Sequence, residues 1–305
     1  MKADPSLPAM RPSDLALALL VIAVWGVNFA VIKVGVVGVP PLLLGALRFL
    51  LAAFPALLFF KPPRVPIRWY LAYGFTISVG QFAFLFSAIH VGMPSGLASL
   101  VLQSQSFFTL LLAAWWLREP WRGHQVAGLL LAGTGLALIG AKHGADMPLA
   151  GFALTVAAAL SWACGNIVTR MVSRHGPMNQ LAFVVWASLV PPLPFLLLSL
   201  WLEGAPAIGQ ALAHLDMATM TAVAYLAWMA TLLGYGLWTY LMSRYPAGQV
   251  APFTLLVPLV GLTTGWLLFD EALQALHMAG AALLMAGLLL NLFGATLWRR
   301  LRGRN

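Results

Sequence analysis

Ten long apolar stretches, separated by short polar breaks, run along the chain. A helix needs roughly 20 mostly apolar residues to cross the hydrocarbon core of a bilayer. The stretches are long enough for this, and they lack the polar/apolar alternation of barrel strands. The pattern therefore predicts an all-α, polytopic membrane protein with ten transmembrane helices, here called spans 1 to 10. They cover residues 15–35, 41–60, 69–89, 96–117, 123–141, 150–172, 180–202, 217–242, 248–269 and 275–298.

Proline residues mark several breaks and also fall inside two of the spans. Pro252 and Pro258 lie in span 9, and Pro191, Pro192 and Pro194 lie in span 7. Each proline removes a backbone hydrogen bond and favours a bend, which suits either substrate coordination or hinging. The segment Glu203–Asp216 is the longest predicted loop and is too short for a soluble domain.

The composition agrees with a membrane protein and excludes the soluble classes. Hydrophobic residues make up 61% of the 305 residues and charged residues only 8%, whereas a soluble domain carries about 25% charged residues. So few charges cannot cover a water-exposed surface, which excludes ordinary soluble enzymes and nucleic-acid-binding proteins. The formal net charge of +9 is assigned to a cytoplasmic membrane face and not to a nucleic-acid partner.

Lysine and arginine are distributed unevenly between the two ends of the spans. Positive residues accumulate on the cytoplasmic side of membrane proteins. One, Lys142, lies on the side away from the termini, so both termini are predicted to be cytoplasmic. The segment 1–14 is then a cytoplasmic N-terminal segment, and the basic tail 299–305 is a membrane-anchoring flank. Fourteen residues lie on the side of the termini: Lys2, Arg11, Lys61, Arg64, Arg68, Arg118, Arg122, Arg170, Arg174, Arg244, Arg299, Arg300, Arg302 and Arg304.

The two halves of the chain are similar to each other. A shift of 137 residues aligns Trp25 with Trp162 and Lys33 with Arg170. We interpret the chain as two five-helix repeats, 15–141 and 150–298, which enter the membrane from opposite sides because five is odd. Inverted repeats are typical of transporters that work by alternating access, and a duplicated membrane scaffold is the alternative. The pairs aligned by a shift of 152 residues are Pro94-Ser95-Gly96 with Pro246-Ala247-Gly248, Glu119 with Glu271, Gly128 with Gly280, and Gly135 with Gly287.

These features resemble the drug/metabolite transporter superfamily, and within it the ten-helix EamA-type permeases. The chain is most similar there to the YddG-like exporters of aromatic and other neutral amino acids. The resemblance implies a central cavity lined by spans 3, 4, 8 and 9 with contributions from spans 1 and 6, a bacterial inner-membrane location, and net export. The segments that carry it are Trp25-Gly26-Val27-Asn28-Phe29 with Lys33, Ala88 through Pro94-Ser95-Gly96, Arg118-Glu119-Pro120, Trp162 to Arg170, Tyr245-Pro246-Ala247-Gly248 and Asp270-Glu271.

Polar and aromatic residues inside the spans are the candidates for substrate binding. Polar groups in hydrocarbon are costly and usually face a cavity or a partner helix. Ser99, Gln103 and Ser106 share one helical face of span 4, and Ser78 and Gln81 share a face of span 3. Amides and hydroxyls backed by aromatic rings suit a zwitterion with an apolar side chain. The candidates are Trp25, Asn28, Ser78, Gln81, Ser99, Gln103, Ser106, Trp162, Asn166, Tyr225, Trp228 and Tyr235.

The same side chains have a second interpretation. Serine, threonine and glutamine also hold membrane helices together, and aromatic residues fill bundles or lie in interfacial belts. On span 8, a stripe at helical spacing contains Tyr225, Trp228, Tyr235 and Thr239, and on span 6 a cluster contains Trp162, Asn166 and Thr169.

Two cations, Lys33 and Arg48, are left inside or near the outer ends of spans and are candidates for gating or charge recognition. Lys33 is predicted either to extend its amine to the outer surface or to attract a substrate carboxylate. All eight acidic residues avoid the centres of the spans. Proton-coupled pumps commonly use an intramembrane carboxylate, so the hypothesis is gradient-driven export without proton coupling.

The sequence thus predicts an exporter of small neutral or zwitterionic metabolites, most of all aromatic and other apolar amino acids. An exchanger of phosphorylated sugars or nucleotide sugars is an alternative, although it would call for several cavity cations. A drug efflux permease is another, and an intramembrane enzyme is disfavoured because no nucleophile–base pair is evident. No metal or other cofactor is expected, since no histidine or cysteine has ligand spacing. The predicted partners of the protein are the substrate and the lipid bilayer. Ten spans suffice to enclose a cavity in a monomer.

Overall fold

The computed structural model is a bundle of helices with the dimensions of a membrane domain. It describes residues 10–118, 120, 122–141, 147–174, 176, 178–245, 247–271 and 274–302. In this part of the chain all ten predicted spans are present, with ends within four residues of the prediction, so the all-α, ten-span prediction is confirmed. The spans are Pro12–Gly38, Pro41–Leu58, Ile67–His90, Ser95–Trp116, Gly123–Ala141, Leu149–Ser173, Gln180–Leu202, Met217–Arg244, Ala251–Phe269 and Ala275–Gly294, the last within a helix that continues to Arg302.

The connection between spans 7 and 8 is helical where a loop was predicted. Gly204 adopts a φ of 88° and interrupts the helical path, and a short helix, Ala205–Ala213, follows at once. Pro206 lies in its first turn, where the missing N–H would have had no partner. Ile208 is buried in the main core. A nine-residue helix is marginal alone, so tertiary packing decides its structure, which the sequence pattern could not show.

Glu203, which precedes this helix, caps the start of span 2. Its carboxylate accepts the backbone N–H groups of Leu42 at 2.7 Å and Leu43 at 3.2 Å. These groups have no partner within their own helix because they lie in its first turn. The carboxylate therefore joins the end of span 7 to the start of span 2.

Spans 3, 4, 8 and 9 each contain a segment that departs from the α-helix. Spans 3 and 8 contain the π-helical segments Gly74–Gly80 and Tyr225–Leu233, and spans 4 and 9 contain the 3-10 segments Leu102–Ser104 and Ala251–Leu256. Adding the 152-residue shift to 74–80 gives 226–232, and adding it to 102–104 gives 254–256. The irregular segments thus occupy matching positions in the two halves. Such segments often mark hinges or functional sites.

The prolines inside spans 7 and 9 coincide with breaks in the helix. In span 9, Pro252 lies in the 3-10 segment and Pro258 in the first turn of the α-helix Val257–Phe269. In span 7, one α-helix ends at Ala187 and the next begins at Pro192. The predicted bends are therefore confirmed.

Spans 5 and 10 pack antiparallel through their glycines. A Cβ on Gly128 would lie 2.8 Å from the carbonyl oxygen of Gly287, and one on Gly135 would lie 2.5 Å from that of Gly280. Only residues without a side chain allow helices to approach this closely in a membrane. The 152-residue shift exchanges these two contacts, as expected if a two-fold axis between the helices relates the halves.

Candidate functional site

A cavity of about 300 Å³ lies within the bundle. Its lining comes from eight spans, 1 to 4 and 6 to 9. The resemblance implied contributions from spans 1, 3, 4, 6, 8 and 9, and the structure adds span 2 through Arg48 and span 7 through Gln180, Phe183 and Val184. The volume is at the lower end of the range for small-molecule sites, so the cavity suits one compact solute.

The cavity extends toward the face of the bundle at which span 1 begins and span 10 ends, here called the terminal face. Near that face its lining includes Gln180, the first residue of span 7, and Thr169, four residues before the end of span 6. In spans 1 and 4, the lining residues nearest the opposite face are Phe29 and Ser99. These two residues lie four positions from Lys33 and Ser95, respectively, which is about one helical turn.

Nine of the sixteen residues predicted to act in the site line this cavity, and for each of them contact with a substrate stays a prediction. They are Trp25, Asn28, Arg48, Gln81, Ser99, Gln103, Trp162, Asn166 and Tyr235. Seven do not line it: Lys33, Ser78, Ser106, Tyr225, Trp228, Pro252 and Pro258. The differences from the predicted lining have local structural causes.

In span 4, the 3-10 segment Leu102–Ser104 changes which residues face the cavity. A 3-10 helix has three residues per turn in place of 3.6, so the segment rotates everything that follows it. As a result, Gln105 lines the cavity where Ser106 was predicted to do so. The Ser106 hydroxyl instead accepts a hydrogen bond from Nε2 of Gln105 at 3.0 Å.

In span 8, the π-helical segment Tyr225–Leu233 divides the predicted aromatic stripe. Bonding from i to i+5 places about one extra residue in each turn, so Tyr225 and Trp228 do not share a face with Tyr235. Tyr225 donates its hydroxyl to the Val24 carbonyl at 2.9 Å. Trp228 is 42% exposed on the outside of the bundle and donates Nε1 to the Leu51 carbonyl. Ser78 is likewise buried within the π-helical segment of span 3.

Aromatic rings form one part of the cavity wall. Trp25 donates Nε1 to the carbonyl of Ala230 at 3.0 Å, which fixes the orientation of its indole. Its ring centroid lies 5.5 Å from that of Tyr235 and 5.4 Å from that of Trp238. Stacked and tilted rings of this kind offer a rigid surface to an apolar side chain.

Two of the lining amides connect spans to each other. Gln103 donates Nε2 to the carbonyl of Thr254 at 3.1 Å, which joins the 3-10 segments of spans 4 and 9. Asn166 donates Nδ2 to Oε1 of Gln105 at 2.7 Å and to Oγ1 of Thr109 at 3.0 Å. Both residues therefore hold helices together while they line the cavity.

Lys33 forms an ion pair that the sequence analysis did not predict. Its Nζ lies 2.7 Å from Oε1 of Glu271 and 4.3 Å from the centroid of the Phe269 ring. Lys33 does not line the cavity in this structure, and its two predicted roles stay predictions. Glu271 was missed because it falls in a loop of the sequence, although its alignment with Glu119 in the other repeat was a signal. Glu119 itself lies outside the described residues.

Glu271 connects three spans near the opposite face. Besides Lys33 of span 1, its carboxylate accepts the backbone N–H of Ser95 at 2.9 Å, the Ser95 hydroxyl at 3.0 Å and the backbone N–H of Gly96 at 2.9 Å. Burial by itself would raise the pKa of Glu271, but the hydrogen bonds from Lys33, Gly96 and Ser95 and the charge of Lys33 lower the pKa overall. The carboxylate therefore stays ionised at neutral pH and caps the start of span 4.

Among the lysine and arginine residues that the structure describes, Arg48 is the one that lines the cavity. The residue is 2% exposed, and its NH2 donates to Oγ1 of Thr231 at 3.2 Å. Its Cζ lies 4.0 Å from the centroid of the Phe82 ring and 5.5 Å from that of Phe49. A charge so deep in a membrane protein is costly unless it serves a partner or a substrate.

Known proteins are similar to this chain over most of its length. The EamA-like transporter family matches residues 13–141 and again residues 149–293. A probable amino-acid metabolite efflux pump of Salmonella typhimurium is 53% identical over 96% of this chain and 99% of its own length, and one of Escherichia coli is 48% identical over 95% and 98%. A probable terminal-alkyne amino-acid exporter of Streptantibioticus cattleyicolor is 26% identical over 92% and 94%. One crystal structure, at 20% identity, has a TM-score of 0.64 over 96% of this chain and 99% of that chain, and so has the same fold.

Proposed function

Because the chain belongs to the EamA-like transporter family, we propose that it exports neutral, zwitterionic amino acids, foremost those with aromatic or other apolar side chains. The observation that carries the proposal is the cavity, in which amide groups and one cation lie beside a wall of aromatic rings. Such a lining provides hydrogen bonds for a zwitterionic head and apolar contact for a side chain. The names of the relatives, two amino-acid metabolite efflux pumps and an amino-acid exporter, support the same substrate class.

The alternative substrates fit the cavity less well. Phosphorylated sugars and nucleotide sugars carry several negative charges, which call for several lysine or arginine side chains. Of Lys33, Arg48 and Arg170, only Arg48 lines the cavity. A volume of about 300 Å³ also suits an amino acid better than a nucleotide sugar.

Transport proceeds by alternating access between the two faces. The cavity reaches toward the terminal face, while Lys33 and Glu271 close the opposite face. The terminal face is then cytoplasmic and the cavity inward-facing, with the chain in the inner membrane of a bacterial cell. The irregular segments of spans 3, 4, 8 and 9 are the hinges, and their matching positions support two inverted repeats that exchange conformations. One chain encloses the whole cavity, so a monomer suffices.

Export is driven by the substrate gradient and does not require proton coupling. A proton carrier must gain and lose its proton near neutral pH. Glu271 is paired with Lys33 and has a lowered pKa, so it keeps its charge under these conditions. The cavity itself is lined by neutral side chains and one arginine.

Efflux from intact cells tests this function. Cells that overproduce the protein are expected to grow at inhibitory concentrations of L-phenylalanine analogues and to release preloaded L-phenylalanine faster than cells without it. Trp162→Ala, which removes a ring from the cavity, should slow this release at least about tenfold, the equivalent of about 1.4 kcal/mol. Trp228→Ala removes a ring from outside the cavity and is the matched control. If resistance extends to drugs but to no amino acid, the function is drug efflux and the substrate proposal fails.

A further inference from the structure

Arg48 has more hydrogen-bond donors than the protein satisfies. A guanidinium carries five N–H groups in a planar fork. NH2 donates to Thr231, but Nε and NH1 are buried and have no hydrogen-bond partner. The rings of Phe82, Phe49 and Phe86 pack against the cation, yet aromatic faces cannot replace oxygen acceptors. Unsatisfied buried donors on a charged group are costly, so Nε and NH1 call for an acceptor.

The protein supplies no anion for Arg48 in the part that the structure describes. Lys33 takes Glu271, and Asp14 accepts the Tyr245 hydroxyl at 2.6 Å with Arg244 nearby. Glu203 is engaged by span 2 at the opposite face. Arg48 therefore lines the cavity without an acidic partner among these residues, and a ligand in the cavity is the remaining source of one.

Two unsatisfied acceptors line the same cavity. Oδ1 of Asn28 and Oε1 of Gln81 are both buried and without a hydrogen-bond partner. Gln81 precedes Phe82 in the chain, and the Phe82 ring lies 4.0 Å from Cζ of Arg48, so the amide and the guanidinium lie at one level of the cavity. Unpaired acceptors and an unpaired cation in one cavity complement a ligand that carries both charges on neighbouring atoms.

We infer that Arg48, Asn28 and Gln81 form a recognition site for the α-amino-acid head group. The unpaired N–H groups of Arg48 bind the carboxylate through charge-assisted hydrogen bonds, and the amide oxygens of Asn28 and Gln81 accept hydrogen bonds from the ammonium group. The aromatic wall is left for the side chain. This assignment rests on the proposed function and adds that the transporter selects for the two charges and not for the side chain alone. Amines, amino-acid amides and N-acylated amino acids are then poor ligands.

Competition in reconstituted vesicles tests the assignment. Counterflow of labelled L-phenylalanine would be measured with three unlabelled competitors: L-phenylalanine, L-phenylalaninamide, which lacks the carboxylate, and N-acetyl-L-phenylalanine, which lacks the ammonium. The wild-type protein is expected to prefer L-phenylalanine over either analogue by at least about tenfold, as expected for a lost charge-assisted hydrogen-bond pair. Arg48→Gln should abolish the preference over the amide, and Arg48→Lys should retain part of it. Gln81→Met should reduce only the preference over the N-acetyl compound.

A structural role of Arg48 would give a different pattern. Lys33→Gln removes another membrane cation that lies outside the cavity, so it should leave both preferences unchanged. If a variant transports too slowly, thermal stabilisation of the purified protein by the same three compounds gives the same ratios. An Arg48→Gln protein that keeps its preference over the amide, or that loses affinity for all three compounds equally, would overturn the assignment while export by the wild type stands. If the wild type moves no amino acid, the proposed function fails and the assignment fails with it.

Discussion

Replacing Glu271 with alanine is expected to open the closure at the opposite face, whereas replacing Lys33 with methionine is expected to weaken it only slightly. Glu271 is bound by Lys33, by the Ser95 hydroxyl and by two backbone N–H groups at the start of span 4. Its loss leaves the buried donors of Ser95 and Gly96 without this partner, at a cost of about 1–3 kcal/mol for each donor that stays unsatisfied. The loss of Lys33 removes one contact of a side chain that is 33% exposed, which costs about 1 kcal/mol or less.

Cysteine labelling measures this difference. In a Cys164→Ala background, Ser99→Cys places a small thiol in the cavity lining about one turn inward of the ion pair. A membrane-impermeant maleimide added at the opposite face should label it at least about tenfold faster once Glu271 is replaced. Asp270→Asn is the matched control, because it removes the neighbouring exposed charge and asparagine tolerates the positive φ of that position. Equal labelling in the Glu271 and Lys33 variants would show that helix capping does not maintain the closure.

The pH dependence of this closure follows from the pKa of Glu271. Because that pKa is lowered in the folded protein, the stabilisation is fully present above the ordinary carboxylate range and is lost only as the pH falls through the lowered value. The ratio of the labelling rate of the Glu271→Ala variant to that of the protein with Glu271, both carrying Ser99→Cys, should therefore be constant between about pH 6 and 8, because the ratio removes the pH dependence of the thiol itself. A fall of this ratio toward one as the pH is lowered within that interval would mean that Glu271 titrates there.

The second large effect is expected at the contact between spans 5 and 10. Gly135→Ala would place a Cβ 2.5 Å from the carbonyl oxygen of Gly280 and 2.6 Å from the backbone nitrogen of Leu284. Backbone atoms cannot rotate away as a flexible side chain can, so the helices must separate. Overpacking of this kind costs about 1–3 kcal/mol and should lower the thermal unfolding temperature of the purified protein.

Gly133 provides the control for that experiment on the same helix. A Cβ on Gly133 meets nothing within 4 Å, and alanine has the higher helix propensity. Gly133→Ala should therefore leave the unfolding temperature unchanged or raise it slightly. If both substitutions lower it equally, the effect belongs to span 5 itself and not to its contact with span 10.

The sequence was sufficient for the spans because hydropathy and length determine which segments enter a bilayer. It was less reliable for the cavity, where the predictions assumed 3.6 residues per turn throughout. That assumption holds for Trp162 and Asn166 on the α-helix of span 6. It fails at Ser106 and Trp228, which lie after or inside segments of a different period.

Contacts between residues that are far apart in the sequence could not be predicted from it. Lys33 and Glu271 are 238 positions apart, and no periodicity connects them. Arg48 was recognised as a charge in an apolar helix, but its unpartnered donors became evident only once the surrounding side chains were placed. The repeat offered a partial signal, since it aligned Glu271 with Glu119 and Lys33 with Arg170.

Counterflow in proteoliposomes tests the central claim, amino-acid transport without proton coupling, most directly. Vesicles containing the purified protein would be loaded with unlabelled L-phenylalanine and diluted into buffer of the same pH and salt with a trace of labelled L-phenylalanine. A transient accumulation of label that a protonophore does not change is the predicted result. Accumulation that appears only with an imposed pH gradient, or no accumulation with any amino acid, would contradict the account.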